Sequence, residues 1–71
     1  MRVLVTGGSG FIGSHVVDKL REMDVKVRIY DMAYPDFRDD IEYYQASLLD
    51  FEALGMALSG VDAIFHLGAI A

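Results

Sequence analysis

A glycine-rich turn between an apolar strand and an amphipathic helix constrains this chain more than any other feature. The segment from Thr6 to Gly13 reads Thr-Gly-Gly-Ser-Gly-Phe-Ile-Gly, and it follows the β-branched run Val3-Leu4-Val5. Such a run predicts a strand that is buried on both faces, as in a parallel sheet. The apolar residues behind it recur at helical spacing and predict a helix of about thirteen residues; they are Phe11, Ile12, Val16, Val17, Leu20 and Met23. We therefore expect a strand, a tight turn and a helix.

The rest of the chain continues this alternation. Val25 to Tyr30 alternates apolar and polar residues and predicts a second strand, less buried than the first. Residues 31–40 predict a loop, and Ile41 to Ala46 a third strand. Asp50 is an expected N-cap of a second helix, and Ser59-Gly60 its end. The apolar face of that helix would comprise Phe51, Leu54, Ala57 and Leu58.

A fourth strand, Val61 to Leu67, completes the order β-α-β-loop-β-α-β. Strands that alternate with helices form parallel sheets with right-handed crossovers. The predicted fold class is therefore α/β, half of a Rossmann fold with about four strands in the order 3-2-1-4. The fourth strand is apolar and would be an edge, where proteins usually place charges, proline or cover. We expect residues 1–71 to be the N-terminal half of a larger dinucleotide-binding domain, and self-association through the edge strand 61–67.

The three glycines of the turn have separate expected roles. Gly7 allows the chain to turn sharply out of the strand, Gly10 lets a pyrophosphate approach the backbone, and Gly13 lets the helix pack closely on the sheet. The helix N-terminus offers free N–H groups and partial positive charge, with no acidic residue in its first turn to compete with a phosphate. This pattern predicts a dinucleotide site.

Asp31 ends the second predicted strand, near the distance of ~20 residues at which an acid binds the adenosine ribose. A carboxylate there accepts hydrogen bonds from both ribose hydroxyls and repels a 2′-phosphate. No arginine stands beside it, since Arg38 is further along the chain. These observations favour NAD over NADP.

Composition excludes several other classes of function. A net charge of −5 argues against nucleic-acid and anionic-membrane partners, and the absence of cysteine excludes disulfides and thiolate metal sites. We predict no metal site, with His15 solvated and His66 packed and hydrogen-bonded. No apolar run reaches the ~18 residues of a membrane span, and a cytoplasmic location is expected.

The segment Thr6 to Gly13, Asp31 and the closing run His66-Leu67-Gly68-Ala69 together resemble the NAD-dependent epimerase/dehydratase family of extended short-chain dehydrogenases/reductases. The resemblance covers essentially the whole chain. It implies retained NAD, and in the parent enzymes transient oxidation of a nucleotide sugar at C4, as in UDP-glucose 4-epimerase.

The resemblance also implies further cofactor-binding residues. The backbone of Phe11 and Ile12 would face the pyrophosphate, and Leu48 would pack on the adenine ring. Ser47 stands where the family often has the acid that contacts the adenine amino group. At the end of the fourth strand Leu67, Gly68 and Ala69 would lie along the cofactor; Gly68 replaces an alanine of the family's His-Leu-Ala-Ala.

The family's catalytic Tyr-x-x-x-Lys pair is absent from these 71 residues, because no tyrosine has a lysine four positions on. We therefore predict no catalytic residue here and expect the active site beyond residue 71. Two alternatives stay open: a truncated folding unit that self-associates without useful cofactor binding, or part of an NAD(P)-dependent reductase of the same superfamily.

Overall fold

A computed structural model describes residues 1–33 and 41–67. Its elements follow one another as β1 Arg2–Thr6, α1 Phe11–Glu22, β2 Lys26–Asp31, β3 Glu42–Gln45, α2 Phe51–Ala57 and β4 Ala63–His66. The strands form one parallel sheet in the order β3-β2-β1-β4. The predicted fold class and strand order are confirmed.

The two helices cover opposite faces of this sheet. Successive side chains of a strand point to opposite faces, and the core divides accordingly into two clusters. The α1 side contains Val3, Val5, Val17, Leu20, Val27 and Ile29. The α2 side contains Leu4, Tyr30 and Ala57. β1 and β2 are therefore buried on both faces.

The expectation that β2 is less buried than β1 holds only narrowly, because β1 has one partly buried end residue whereas β2 has one exposed and one partly buried end residue. Four consecutive residues of β2, from Val27 to Tyr30, are buried. Arg28 is only 7% exposed because its guanidinium Nη1 donates to the carbonyl oxygens of Ala57 (2.6 Å) and Ser59 (2.8 Å) at the end of α2. The alternation in β2 thus marks two buried faces, one apolar and one polar.

The predicted helical stripes are only partly buried. In α1, Val17 and Leu20 lie in the core, whereas Phe11, Ile12 and Met23 are exposed. In α2, Ala57 is buried and Leu54 packs against the core. Phe51 and Leu58 are exposed. Each helix therefore contacts the sheet through a narrower stripe than its sequence predicts.

Local signals at the helix ends agree with the structure. The side chain of Asp50 accepts a hydrogen bond from the Ala53 N–H at 3.1 Å, as expected of an N-cap. Gly60 follows α2 with φ of 75°. α1 ends without a glycine, and Asp24 takes the left-handed conformation with φ of 62°.

Within the part of the chain that the structure describes, no helix is long and apolar enough to cross a membrane.

Candidate functional site

The carboxyl ends of the four strands meet at one edge of the sheet. β1 leads through α1 on one face to β2, and β3 leads through α2 on the other face to β4. The order in which strands are added to the sheet therefore reverses between β1 and β4. In open α/β sheets ligands bind outside the carboxyl ends of the strands at such a point. The glycine loop after Thr6 begins there.

The predicted sharp turn is present at Gly7, whose φ is 76°. Its carbonyl oxygen accepts from the N–H of Gly10 at 3.1 Å, and its own N–H donates to the Tyr30 carbonyl at 3.0 Å. A positive φ strains any residue with a Cβ. The sequence thus needs glycine at this position for backbone reasons alone.

Gly13 lies against the loop itself. A Cβ built there would stand 2.1 Å from the Gly7 oxygen and 2.7 Å from Gly8 Cα. At Gly8 a Cβ would meet the Ile29 side chain at 2.9 Å. The close approach expected at Gly13 is therefore present, but it joins the start of α1 to the glycine loop.

Gly10 differs from these glycines because there is free space where its side chain would be. A Cβ there would meet only the Gly7 oxygen, at an ordinary distance of 3.5 Å. The N–H groups of Phe11, Ile12 and Gly13 find no hydrogen-bond partner within residues 1–33 and 41–67, and the first turn of α1 holds no acid. Free N–H groups beside open space favour an anion such as a pyrophosphate.

Asp31 lies at the adjacent strand end, half-buried, and it contacts the glycine loop directly. One carboxylate oxygen accepts from the Ser9 N–H at 3.1 Å, and the other accepts from the Ala33 N–H at 3.1 Å. The Ser9 hydroxyl donates to the Ala33 carbonyl at 2.8 Å. The structure therefore brings the residues that are predicted to bind the pyrophosphate and the ribose close together.

The turn after Asp31 is further fixed from β3, which sequence reasoning did not predict. The Tyr43 hydroxyl lies within hydrogen-bond distance of the carbonyl oxygens of Asp31 and Ala33 and shares its one proton between them, and the Gln45 side-chain amide donates to the Met32 carbonyl at 3.1 Å. These contacts depend on the register of β2 and β3, which pairs Ile29 with Tyr43 and cannot be read from either segment alone.

Ser47 and Leu48 lie between β3 and α2. The Ser47 hydroxyl oxygen accepts from the Leu49 N–H at 3.1 Å, and the Ser47 carbonyl accepts from the buried Tyr30 hydroxyl at 2.6 Å. Leu48 is half-buried and packs partly against the α2-side core. Burial first, and the nearby Asp50 carboxylate second, raise the pKa of Tyr30.

At the carboxyl ends of the paired strands β1 and β4, Thr6 links the two segments. The Leu67 N–H donates to the Thr6 carbonyl (3.0 Å) and hydroxyl (3.1 Å), and His66 Nδ1 lies 2.7 Å from that hydroxyl. His66 is hydrogen-bonded as expected, but it is exposed, because among the described strands β4 pairs with β1 alone. Gly68 and Ala69 lie outside the described residues.

His15 is exposed and its ring meets Phe11 edge-on at 4.7 Å between centroids. Over the residues that are described, no three histidine or acidic side chains form a group able to hold a metal ion. At the carboxyl edge of the sheet, the N-terminus of α1 with its partial positive charge lies close to the single carboxylate of Asp31. Such an edge can hold a diphosphate by its N–H groups and a diol by its acid.

A parallel sheet in this order, with a glycine loop, an open helix start and an acid on the next strand, defines a dinucleotide-binding unit of the Rossmann type. Residues 3–71 match the NAD dependent epimerase/dehydratase family. The chain belongs to that family, and NAD is the cofactor of the family. The family resemblance and the cofactor prediction are confirmed at this level.

Three similar proteins illustrate the range of the family. A 3 beta-hydroxysteroid dehydrogenase/Delta 5-->4-isomerase of Mycobacterium tuberculosis is 39% identical over 72 residues, covering 97% of this chain and 19% of its own length. A short-chain dehydrogenase/reductase superfamily protein of Agrobacterium tumefaciens, solved with bound NAD, superimposes with a TM-score of 0.89 at 38% identity, covering 100% of this chain and 21% of that one.

The third is the UDP-glucose 4-epimerase of Thermus thermophilus in complex with NAD, with a TM-score of 0.85, 34% identity, and coverage of 100% and 25%. The chain therefore spans about a fifth to a quarter of the length of these proteins.

Proposed function

We propose that this chain binds the adenosine diphosphate part of NAD at the carboxyl edge of its sheet. The observation that supports it best is the start of α1, where three N–H groups without partners lie beside an open glycine. Asp31 is joined to the same loop through the Ser9 N–H. The pyrophosphate would accept from the N–H groups of Phe11, Ile12 and Gly13, and the ribose hydroxyls would donate to Asp31.

We propose further that this unit is the N-terminal part of a nucleotide-sugar epimerase or dehydratase. Bound NAD supplies the transient oxidation of the sugar at C4. Support comes from the likeness to a solved UDP-glucose 4-epimerase. In this assignment the described residues hold the cofactor, Leu67 lies near it at the end of β4, and a Tyr-x-x-x-Lys pair outside these 71 residues moves the proton.

A second candidate is an NAD-dependent dehydrogenase acting on another alcohol. The 39% identity to a hydroxysteroid dehydrogenase/isomerase favours it. Both candidates need the same cofactor edge, so the substrate alone separates them. A cytoplasmic location remains the prediction for either one.

Titration calorimetry on the full chain tests the cofactor proposal. We expect NAD to bind more tightly than NADP, because Asp31 accepts from a ribose 2′-hydroxyl and repels a 2′-phosphate. Equal or tighter binding of NADP would refute the assignment. A folded chain that binds neither would favour the alternative of a purely structural unit.

We also propose that the chain self-associates through β4, with a second copy as the partner. Within the described sheet β4 pairs only with β1, and Ile64 and Phe65 of β4 are exposed by 53% and 45%, with Leu67 directly after the strand exposed by 40%. An unpaired apolar edge is a template for another strand. Sedimentation over a range of concentrations should show a dimer; a monomer at high concentration, with Val61 to Leu67 protected from amide exchange, would refute this.

A further inference from the structure

Tyr30 joins the two halves of the candidate adenosine site. Its backbone directly precedes Asp31, and its side chain, 1% exposed, points to the α2 face of the sheet. There its hydroxyl donates to the Ser47 carbonyl at 2.6 Å and lies 3.3 Å from the Asp50 carbonyl. One residue of β2 therefore contacts both the strand end with the ribose acid and the segment expected to face the adenine.

The segment from Ser47 to Asp50 is a short turn. The Asp50 N–H donates to the Ser47 carbonyl at 3.1 Å, and the Leu49 N–H donates to the Ser47 hydroxyl at 3.1 Å. These bonds fix the shape of the turn but not its position relative to the sheet. Among the described residues, Tyr30 is the strand side chain whose hydrogen bonds tie this turn to the sheet.

The Ser47 hydroxyl keeps capacity for a ligand. A hydroxyl oxygen has two acceptor lone pairs, and one of them is used by the Leu49 N–H. The second can accept from an exocyclic amine. The position of this oxygen relative to Asp31 then decides whether a purine and its ribose can be bound together.

We propose that Tyr30 is a positioning residue for purine recognition: its hydroxyl places the turn at Ser47 and Leu48 in register with Asp31. This rests on the proposed function, since it assumes that NAD binds at this edge. Tyr30 touches no cofactor atom itself. Losing one such hydrogen bond should weaken recognition roughly 2- to 12-fold.

The test compares NAD with nicotinamide purine dinucleotide, in which a hydrogen atom replaces the adenine amino group, because the Ser47 hydroxyl can donate to a carbonyl oxygen at that position but makes no hydrogen bond to a C–H group. Both are titrated calorimetrically into the full chain, unaltered and as Tyr30→Phe, Ser47→Ala and the double variant. Tyr44→Phe is the matched control, because Tyr44 is paired with Tyr30 in the neighbouring strand β3. The centroid of its ring lies 5.5 Å from Arg28 Cζ, and its hydroxyl makes no hydrogen bond with any described residue.

We expect the unaltered chain and Tyr44→Phe to prefer NAD over the purine analogue. Tyr30→Phe should bind NAD roughly 2- to 12-fold less tightly, with the analogue little changed, so that the preference falls to that of Ser47→Ala. The double variant should bind NAD no less tightly than the weaker-binding of the two single variants, because both changes remove the same interaction.

A Tyr30→Phe chain that weakens both dinucleotides equally, or neither, overturns the inference while the proposed function stands. Ser47→Ala leaves the buried tyrosine intact, and an unchanged preference there also overturns it, even if Tyr30→Phe fails to fold. An unaltered chain that does not bind NAD refutes the proposed function, and this inference with it.

Discussion

Gly13 and Gly55 are both helical glycines, and the structure predicts opposite outcomes when each is changed to alanine. In Gly13→Ala the new Cβ would lie 2.1 Å from the Gly7 oxygen, and atoms of the Gly7 and Gly8 backbone surround it. Since these are backbone atoms, relief needs a shift of about 1 Å in the loop or the helix start. At Gly55 nothing lies within 4 Å of the new Cβ.

The magnitudes follow from two opposing effects. Overpacking typically costs ~1–3 kcal/mol, and a contact against backbone belongs at the upper end of that range. Alanine gains ~0.5–1 kcal/mol over glycine in a helix. Gly13→Ala should therefore lose about 2 kcal/mol of unfolding free energy, and Gly55→Ala should gain ~0.5–1 kcal/mol.

Urea unfolding followed by far-ultraviolet circular dichroism measures both, at a concentration where sedimentation shows one species. With a slope of ~1 kcal/mol per molar urea, the two midpoints should differ by roughly 2–3 M and lie on opposite sides of the unaltered chain. If Gly13→Ala is as stable as the unaltered chain, or shifts in the same direction as Gly55→Ala, the close approach of loop and helix is not a constraint and this reasoning is wrong.

Four further predictions concern the cofactor edge and β2. Asp31→Ala should weaken NAD binding by ~1–3 kcal/mol in calorimetry, whereas Glu22→Ala, which removes the same charge at the far end of α1, should not. Gly10→Val should abolish NAD binding with the circular dichroism nearly unchanged; normal binding would mean that this glycine serves the turn alone. Arg28→Met should lose ~2–3 kcal/mol of stability, because the carbonyls of Ala57 and Ser59 lose a charged donor; Lys19→Met, on the surface, should change little in the same urea series. The raised pKa of Tyr30 makes its contribution to stability complete below its ordinary value of 10.0 and lost as pH rises further, so urea midpoints should fall above that pH less steeply in Tyr30→Phe.

The order of elements and the strand order could be predicted from local signals. Hydrophobic period, the glycine turn and the Asp50 cap are each encoded in a few adjacent residues, and parallel crossovers leave few topologies. The grouping of Gly7, Gly10 and Asp31 at one edge follows from that topology. These predictions needed no knowledge of distant partners.

What the sequence did not reveal depends on contacts between distant segments. Arg28 and Tyr30 gave β2 the pattern of a half-exposed strand, yet both side chains are buried because carbonyls of the α2 region accept their donors. The hydrogen bond from the Ser9 N–H to the Asp31 carboxylate joins the glycine loop after β1 to the end of β2. Asp24 ends α1 in a conformation that usually marks glycine, so the sequence offered no stop signal there.

The carboxylate of Asp31 can be counted as a set of acceptor sites. An ionised carboxylate has about four lone-pair sites, and the N–H groups of Ser9 and Ala33 occupy one on each oxygen. Two remain, which equals the number of hydroxyl donors on an adenosine ribose. An asparagine of the same shape has a single acceptor oxygen, and its amide nitrogen would face one of those two N–H groups, donor against donor. Asp31→Asn would therefore disturb the loop before any ligand arrives, and redesign of cofactor choice at this position has to supply a new acceptor for the loop as well as a new partner for the ribose.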